Sequence, residues 1–320
     1  MFALDLATLV VAALAVASLF VGVGDMSVSA LLGSAPDNQA QQLLLISRIP
    51  RTLALILAGA ATGVAGMLMQ RLMRNRFVEP ATAGTVEAAS LGILTVALLA
   101  PGMDILGKMA VASLFALAGT GLFQAVLSRI PLRSVLIVPL VGLMLSGIIE
   151  AVTTFIALRT DMLQSVSSWT TGDFSTVLRG RYELLWIAFG LTIVGYVMAD
   201  RFTLIGLGRS FATNLGVNYN RVLMAGLTLV SVITGVIVVT VGVIPFLGLI
   251  VPNIVSLTVG DNLRRSVPWV AVASAGFVLL CDLIGRLVIA PYEIPVGVIG
   301  GVVGGALFLY LLLRKDTSLG

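Results

Sequence analysis

The chain contains no histidine and a single cysteine, Cys281. The first absence removes the commonest metal ligand and the usual proton shuttle near neutral pH. The second excludes an intrachain disulfide and any multi-thiolate metal site. Charge is scarce as well: 11% of the 320 residues are charged, against about 25% in an ordinary soluble domain. The formal charge of +4 comes from basic residues scattered among loops rather than gathered into one stripe, which argues against nucleic-acid binding. No GxxxxGK[ST] segment occurs, so nothing here cradles nucleotide phosphates, and no resident cofactor is expected.

What the chain has in abundance is apolar surface: 58% of its residues are hydrophobic, and the mean hydropathy is +1.10. This composition indicates an all-α, polytopic membrane protein, with residues 1–320 forming one transmembrane domain. Apolar runs bounded by charges or Pro/Gly turns give ten candidate spans, near 6–24, 50–70, 82–100, 106–128, 135–158, 183–200, 221–241, 245–259, 267–290 and 294–313. The first is read as a span rather than a signal peptide, because Asp5 is acidic, no basic segment precedes it and no small-residue cleavage site ends it. Thr52 to Met69 is uncharged and, at ~1.5 Å per residue, crosses most of a ~30 Å hydrocarbon core. Gly59 and Gly63, with Gly66 nearby, allow another helix backbone to come close, either for static packing or in a moving pair.

Assigning the loops alternately to two faces puts twelve Lys/Arg on one side, including Arg71, Arg74, Arg76, Arg209 and Arg221. The other side holds seven: Arg48, Arg51, Lys108, Arg159, Arg179, Arg181 and Arg286. The richer face is then cytoplasmic, and both termini lie inside. Two outside loops, 25–47 and 159–182, are long; the second carries Trp169 and Phe174 among polar residues and suits an interfacial helix, a docking surface or a loop at the lipid headgroups.

The cytoplasmic segment 201–221 is too polar to cross a membrane, yet Phe211, Ala212 and Leu215 fall at helical spacing. With Ser210 as its cap and Gly216 as its stop, it predicts a short amphipathic helix that meets a protein partner or lies on lipid. Gly242 through Asn253 interrupts an apolar stretch with Pro245 and Pro252, which predicts a broken helix whose freed carbonyl needs a neighbour. Asp282 and Arg286 stand one helical turn apart and can pair within a span. Glu87 and Glu150 lie inside spans, as functional groups or as partners in buried hydrogen bonds.

Several motifs, taken in order, resemble the FecCD-type permeases, the membrane subunits of ATP-binding-cassette importers for iron-siderophores, haem and vitamin B12. They are Arg48-Ile-Pro-Arg51, Gly59-Ala-Ala to Gln70, Arg74-Asn75, Glu79-Pro80, Trp169 with Gly172, Leu207-Gly208, Leu215-Gly216-Val217, Gly242 to Pro252, Gly260-Asp261, and Glu293-Ile-Pro295. Arg76-Phe77-Val78, Asn253 and Ala306 depart from the common pattern, and RNRFVEPATAGT is similar to the branch serving catecholate-type siderophores.

The resemblance implies a fold like that of the vitamin B12 importer permease. It implies a role as a non-enzymatic inner-membrane permease subunit moving a ferric siderophore, with vitamin B12 or haem as alternative cargo. Two cytoplasmic ATPase subunits would use ATP and Mg, a second permease chain, different or identical, would complete the pore, and a periplasmic or lipid-anchored binding protein would deliver cargo. ATPase coupling would rest on Leu207, Gly208, Ala212, Leu215, Gly216 and Val217, and binding-protein docking on Arg48, Arg51 and Arg286. Pathway and gate candidates are Arg133, Ser134, Gly142, Ser146, Gly147 and Glu150, with Gly297, Gly300, Gly301 and Gly304; the last four also form small-xxx-small pairs suited to close packing.

Two other classes fit the composition less well. An ion-coupled secondary transporter would draw on Glu87, Glu150 or the Asp282/Arg286 pair. An intramembrane enzyme has no Gly-x-Ser-x-Gly element and no paired carboxylates to work with.

Overall fold

Residues 2–21, 42–130 and 137–313 are described by the computed structural model, and among them the regular structure is thirteen α-helices with short 3-10 and π turns. In chain order the helices are α1 (Phe2–Phe20), α2 (Ile49–Leu72), α3 (Thr85–Leu99), α4 (Ile105–Leu127), α5 (Ile137–Arg159), α6 (Leu163–Thr170), α7 (Leu185–Val197), α8 (Ala199–Gly206), α9 (Arg209–Asn214), α10 (Tyr219–Val241), α11 (Leu247–Val259), α12 (Leu263–Val288) and α13 (Val296–Leu313). A π turn at Leu44–Arg48 extends α2 backward into one long rod.

Six of these helical segments are long and apolar enough to cross a membrane: α1, the α2 rod, α4, α5, α10 and α12. A seventh forms if α7 and α8, bent by 64° at Met198, count as one, and α3, α11 and α13 are shorter apolar helices. These ten segments coincide with the ten apolar runs of the sequence. The bend is where they differ: the run near 183–200 stops at Val197, and α8 turns away from it.

The bundle is organised around α2. Of its apolar window 83% is buried, against 6% for α1, which leaves most of its surface to lipid. α2 touches α12, α10, α11 and α7. Its glycines decide how closely: a Cβ on Gly63 would stand 1.9 Å from Ser274 Oγ of α12, and one on Gly66 would stand 2.1 Å from the carbonyl oxygen of Gly248 on α11. At Gly66 the two backbones leave no room for a side chain, and at Gly63 the Ser274 side chain fills it, as expected where lipid supplies no hydrophobic drive for association.

The expected helix break is present. α10 ends at Val241, Gly242 takes φ +79°, Phe246 takes φ +61°, and α11 restarts at Leu247 with Pro252 inside it. Val243 donates to Thr170 O at 3.3 Å and Gly297 donates to Gly172 O at 2.8 Å, so the ends of α6 and α10 and the start of α13 interlock.

Candidate functional site

The segment proposed to receive force from a partner folds as two short helices. Gly208, with φ +110°, separates α8 from α9 and occupies the cap position of α9; Ser210, expected as the cap, lies inside the helix and makes no capping bond. Gly216 does end the element: with φ +76°, it donates to Thr213 O at 3.0 Å while Val217 donates to Ala212 O at 2.9 Å. The side chains divide by role. Ala212 is fully buried and anchors α9, and Val217 packs on the core, whereas Leu207, Phe211 and Leu215 are 56–65% exposed. The exposed trio, together with Gly216, is therefore the surface that a partner can reach, while Gly208 is buried against the Arg74 guanidinium.

Arg48, Arg51 and Arg286 do come together, but in the interior. Arg51 donates to Asp282 Oδ1 at 2.7 Å and to Glu293 at 2.6 Å, while Arg286 pairs with the other oxygen of Asp282 one turn below. Arg286 also donates to the backbone oxygens of Ser18 and Val21 at 2.9 Å, and Arg48 reaches Val21 O, so the cluster ties α1, α2 and α12 together. All three arginines are at least nine-tenths buried. Free, outward-pointing docking charges are not what this geometry provides. The pairing joins residues 231 positions apart, and helix-end arginines read from sequence alone look like surface charges.

The pathway candidates separate in the same way. A Cβ on Gly142 would stand 1.8 Å from Thr82 O, and Ser146 donates to Ala81 O at 3.4 Å and to Glu87 on α3. Both hold α5 against the 81–83 turn, so they pack the bundle rather than line a passage. Gly297 likewise packs on Gly172, Gly301 reaches Pro245, and Gly304 backs onto Phe246. Gly300, buried, stands at ordinary van der Waals distance from Ile244 and Phe277. Gly147 and Glu150, by contrast, lie on the open face of α5, beside Leu143, Met144, Ile148 and Phe155. Arg133 and Ser134 lie outside the described residues.

Glu79, in sequence only one residue of the Glu79-Pro80 motif, has a role that the fold alone displays. It is 4% exposed and accepts backbone N–H bonds from Phe246, Gly248 and Leu249 at the start of α11. Its carboxyl caps a helix that begins inside the bundle. No His/Cys/Asp/Glu grouping able to hold a metal ion occurs among the described residues.

The model of the FecCD transport family matches residues 8–314. The chain belongs to the FecCD transport family. The petrobactin import system permease YclN of Bacillus subtilis is 48% identical over 304 residues, 95% of this chain and 96% of that one. The ferric-anguibactin transport system permease FatD of Vibrio anguillarum is 40% identical over 297 residues, covering 93% and 94%. The vitamin B12 import system permease BtuC of Vibrio cholerae is 30% identical, covering 95% and 92%. Among solved structures, a metal-chelate type ABC transporter in an inward-facing conformation superposes with a TM-score of 0.82 at 24% identity, over 97% of this chain and 98% of that one; at this identity the likeness concerns the fold. As a member of this family the chain is a multi-pass transporter permease of the cytoplasmic membrane.

Proposed function

We propose that the chain is the permease subunit of an ATP-binding-cassette importer for a ferric siderophore, with a catecholate-bearing chelate as its cargo. The observation that carries the reading is full-length similarity at 40–48% identity to permeases named for petrobactin and ferric anguibactin, against 30% for the vitamin B12 permease. The chain has no phosphate-cradling loop, so ATP and Mg are used by separate cytoplasmic subunits that press on Leu207, Phe211 and Leu215 of the α8–α9 segment. A short rigid element of this kind transmits displacement. A second permease chain covers the open face of α5. Glu150 supports this: a carboxylate on an otherwise apolar spanning face is costly against lipid, but tolerated at a subunit seam or in a wet passage.

On the outer face, the exposed Arg159, Arg179 and Arg181 steer a binding protein, while Arg48, Arg51 and Arg286 hold the bundle under it. In a strain lacking its own siderophore permeases, the chain, expressed with its partner subunits, restores uptake of labelled ferric petrobactin. Restored uptake of vitamin B12 with none of the ferric chelate would reject the cargo assignment.

A further inference from the structure

A cavity of about 210 Å³ opens where α2 ends beside α8 and α11, lined by Met67, Gln70, Arg71, Arg74, Asn75, Arg76, Gly206, Pro252 and Ser256. Its polar wall is cationic. Among the described residues Asp261 is the acid engaged there: it accepts from Arg71 at 2.6 Å, from Arg76 at 2.9 Å and from Ser256, so a single carboxylate holds two guanidinium groups in place beside the cavity. Three arginines against one aspartate leave the site two charges in excess.

Arg74 is the third cation. It takes φ +52° in the turn after α2, which swings its side chain toward the α8–α9 joint, where a Cβ on Gly208 would stand 3.4 Å from its Cζ and Nη1. The lining also includes the apolar Met67 and Pro252. Guanidinium groups beside apolar side chains are an arrangement that receives the phosphate of a headgroup whose tail remains in the bilayer.

We propose that this cavity is a phosphate-binding site at the cytoplasmic membrane surface, filled by the headgroup of an anionic phospholipid. The ligand bridges the end of α2 to the α8–α9 segment. The inference rests on the orientation proposed above, which puts this end of α2 on the cytoplasmic side. Topological positive charge alone would explain the presence of arginines in these loops, but not their convergence on one cavity around a shared carboxylate.

The test is native mass spectrometry of the assembled importer, titrated with phosphatidylglycerol or phosphatidylcholine, each with and without inorganic phosphate. Phosphatidylglycerol is expected to bind in preference to phosphatidylcholine. Arg74→Asn, whose new residue tolerates the positive φ, should weaken that binding about fivefold, Arg74→Lys should restore most of it, and Arg129→Asn, an exposed arginine elsewhere, should leave it unchanged. Displacement of the lipid by inorganic phosphate would support the phosphate chemistry and assign the site to a free anion instead. Equal binding of both lipids, or binding indifferent to Arg74→Asn in a complex that still assembles, would overturn the proposal. Siderophore uptake is scored separately: an importer that transports but does not bind phosphate defeats only this inference, and one that binds phosphate but carries another cargo leaves it standing.

Discussion

Gln70 of α2 donates its side-chain amide to the carbonyl oxygens of Gly248, at 3.3 Å, and Leu249, at 3.2 Å, one turn ahead of Pro252 on α11. Pro252 has no N–H to offer the Gly248 carbonyl, and hydrocarbon offers none either. Gln70 supplies the missing donor across the helix pair. Replacing Gln70 with Leu should therefore lower stability by about 1–3 kcal/mol, read as an earlier thermal transition in detergent. In a Pro252→Ala background, where residue 252 regains its N–H, the same replacement should cost distinctly less. Equal costs in both backgrounds would refute this pairing.

The approach of α2 to α11 depends on Gly66, where an added Cβ would meet the Gly248 backbone at 2.1–2.3 Å. Both groups in that contact are backbone and cannot rotate away. Gly66→Val should abolish recovery of folded protein, while Gly121→Ala, with open space around it, should leave recovery unchanged. Size-exclusion profiles of the two variants provide the comparison.

Asp282, fully buried, is the shared acceptor of Arg51 and Arg286. Asp282→Asn leaves the buried Arg286 without a carboxylate and Arg51 with Glu293 alone, a loss of about 3–5 kcal/mol. Arg51→Glu should likewise cost stability first and weaken binding-protein association only as a consequence. Arg181→Glu, on the exposed outer loop, should weaken association in a salt-dependent way without moving the thermal transition. Unfolding curves beside binding isotherms separate the two classes.

On the cytoplasmic side, burial opposes ionisation of Asp261, but the Ser256 and Arg71 hydrogen bonds and the Arg71 and Arg76 charges prevail and hold its carboxyl below the ordinary value of 3.8. A lowered folded-state value means that its contribution is present above the ordinary value and is lost as pH falls through the folded one. The carboxyl is half exposed, so the effect is small and salt-sensitive. From about pH 5 to pH 3 the wild-type melting temperature should fall more steeply than that of Asp261→Asn.

The sequence made the spans, the interrupted helix and the close-packing glycines of α2 legible, because each is a local matter of hydropathy, proline or missing side chain. It placed Gly216 correctly at the end of α9, since a helix stop is written in a few adjacent residues. The pairings that turn those pieces into a site were not legible. Gln70 with Gly248, Glu79 with the start of α11, and Arg51 with Asp282 join residues far apart in the chain, and periodicity carries no information about such partners. The Asp282–Arg286 pair, one helical turn apart, is legible, but the burial of Arg48 and Arg51 is not: a charge at a helix end has one appearance in sequence whether it meets water or a buried carboxylate. Gly142, Ser146 and Gly297 resemble pathway residues because smallness serves a passage and a tight packing contact equally.

The central claim is that this chain is a conduit driven from the cytoplasm through α8 and α9. The most direct measurement is accumulation of labelled ferric petrobactin in proteoliposomes holding the chain, its partner permease, its ATPase subunits and its binding protein. The account predicts accumulation that requires ATP, persists after the proton gradient is collapsed, and disappears in Leu215→Asp although that complex still hydrolyses ATP. Accumulation that proceeds without ATP and fails with the proton gradient, or that is unaffected by Leu215→Asp, would contradict it.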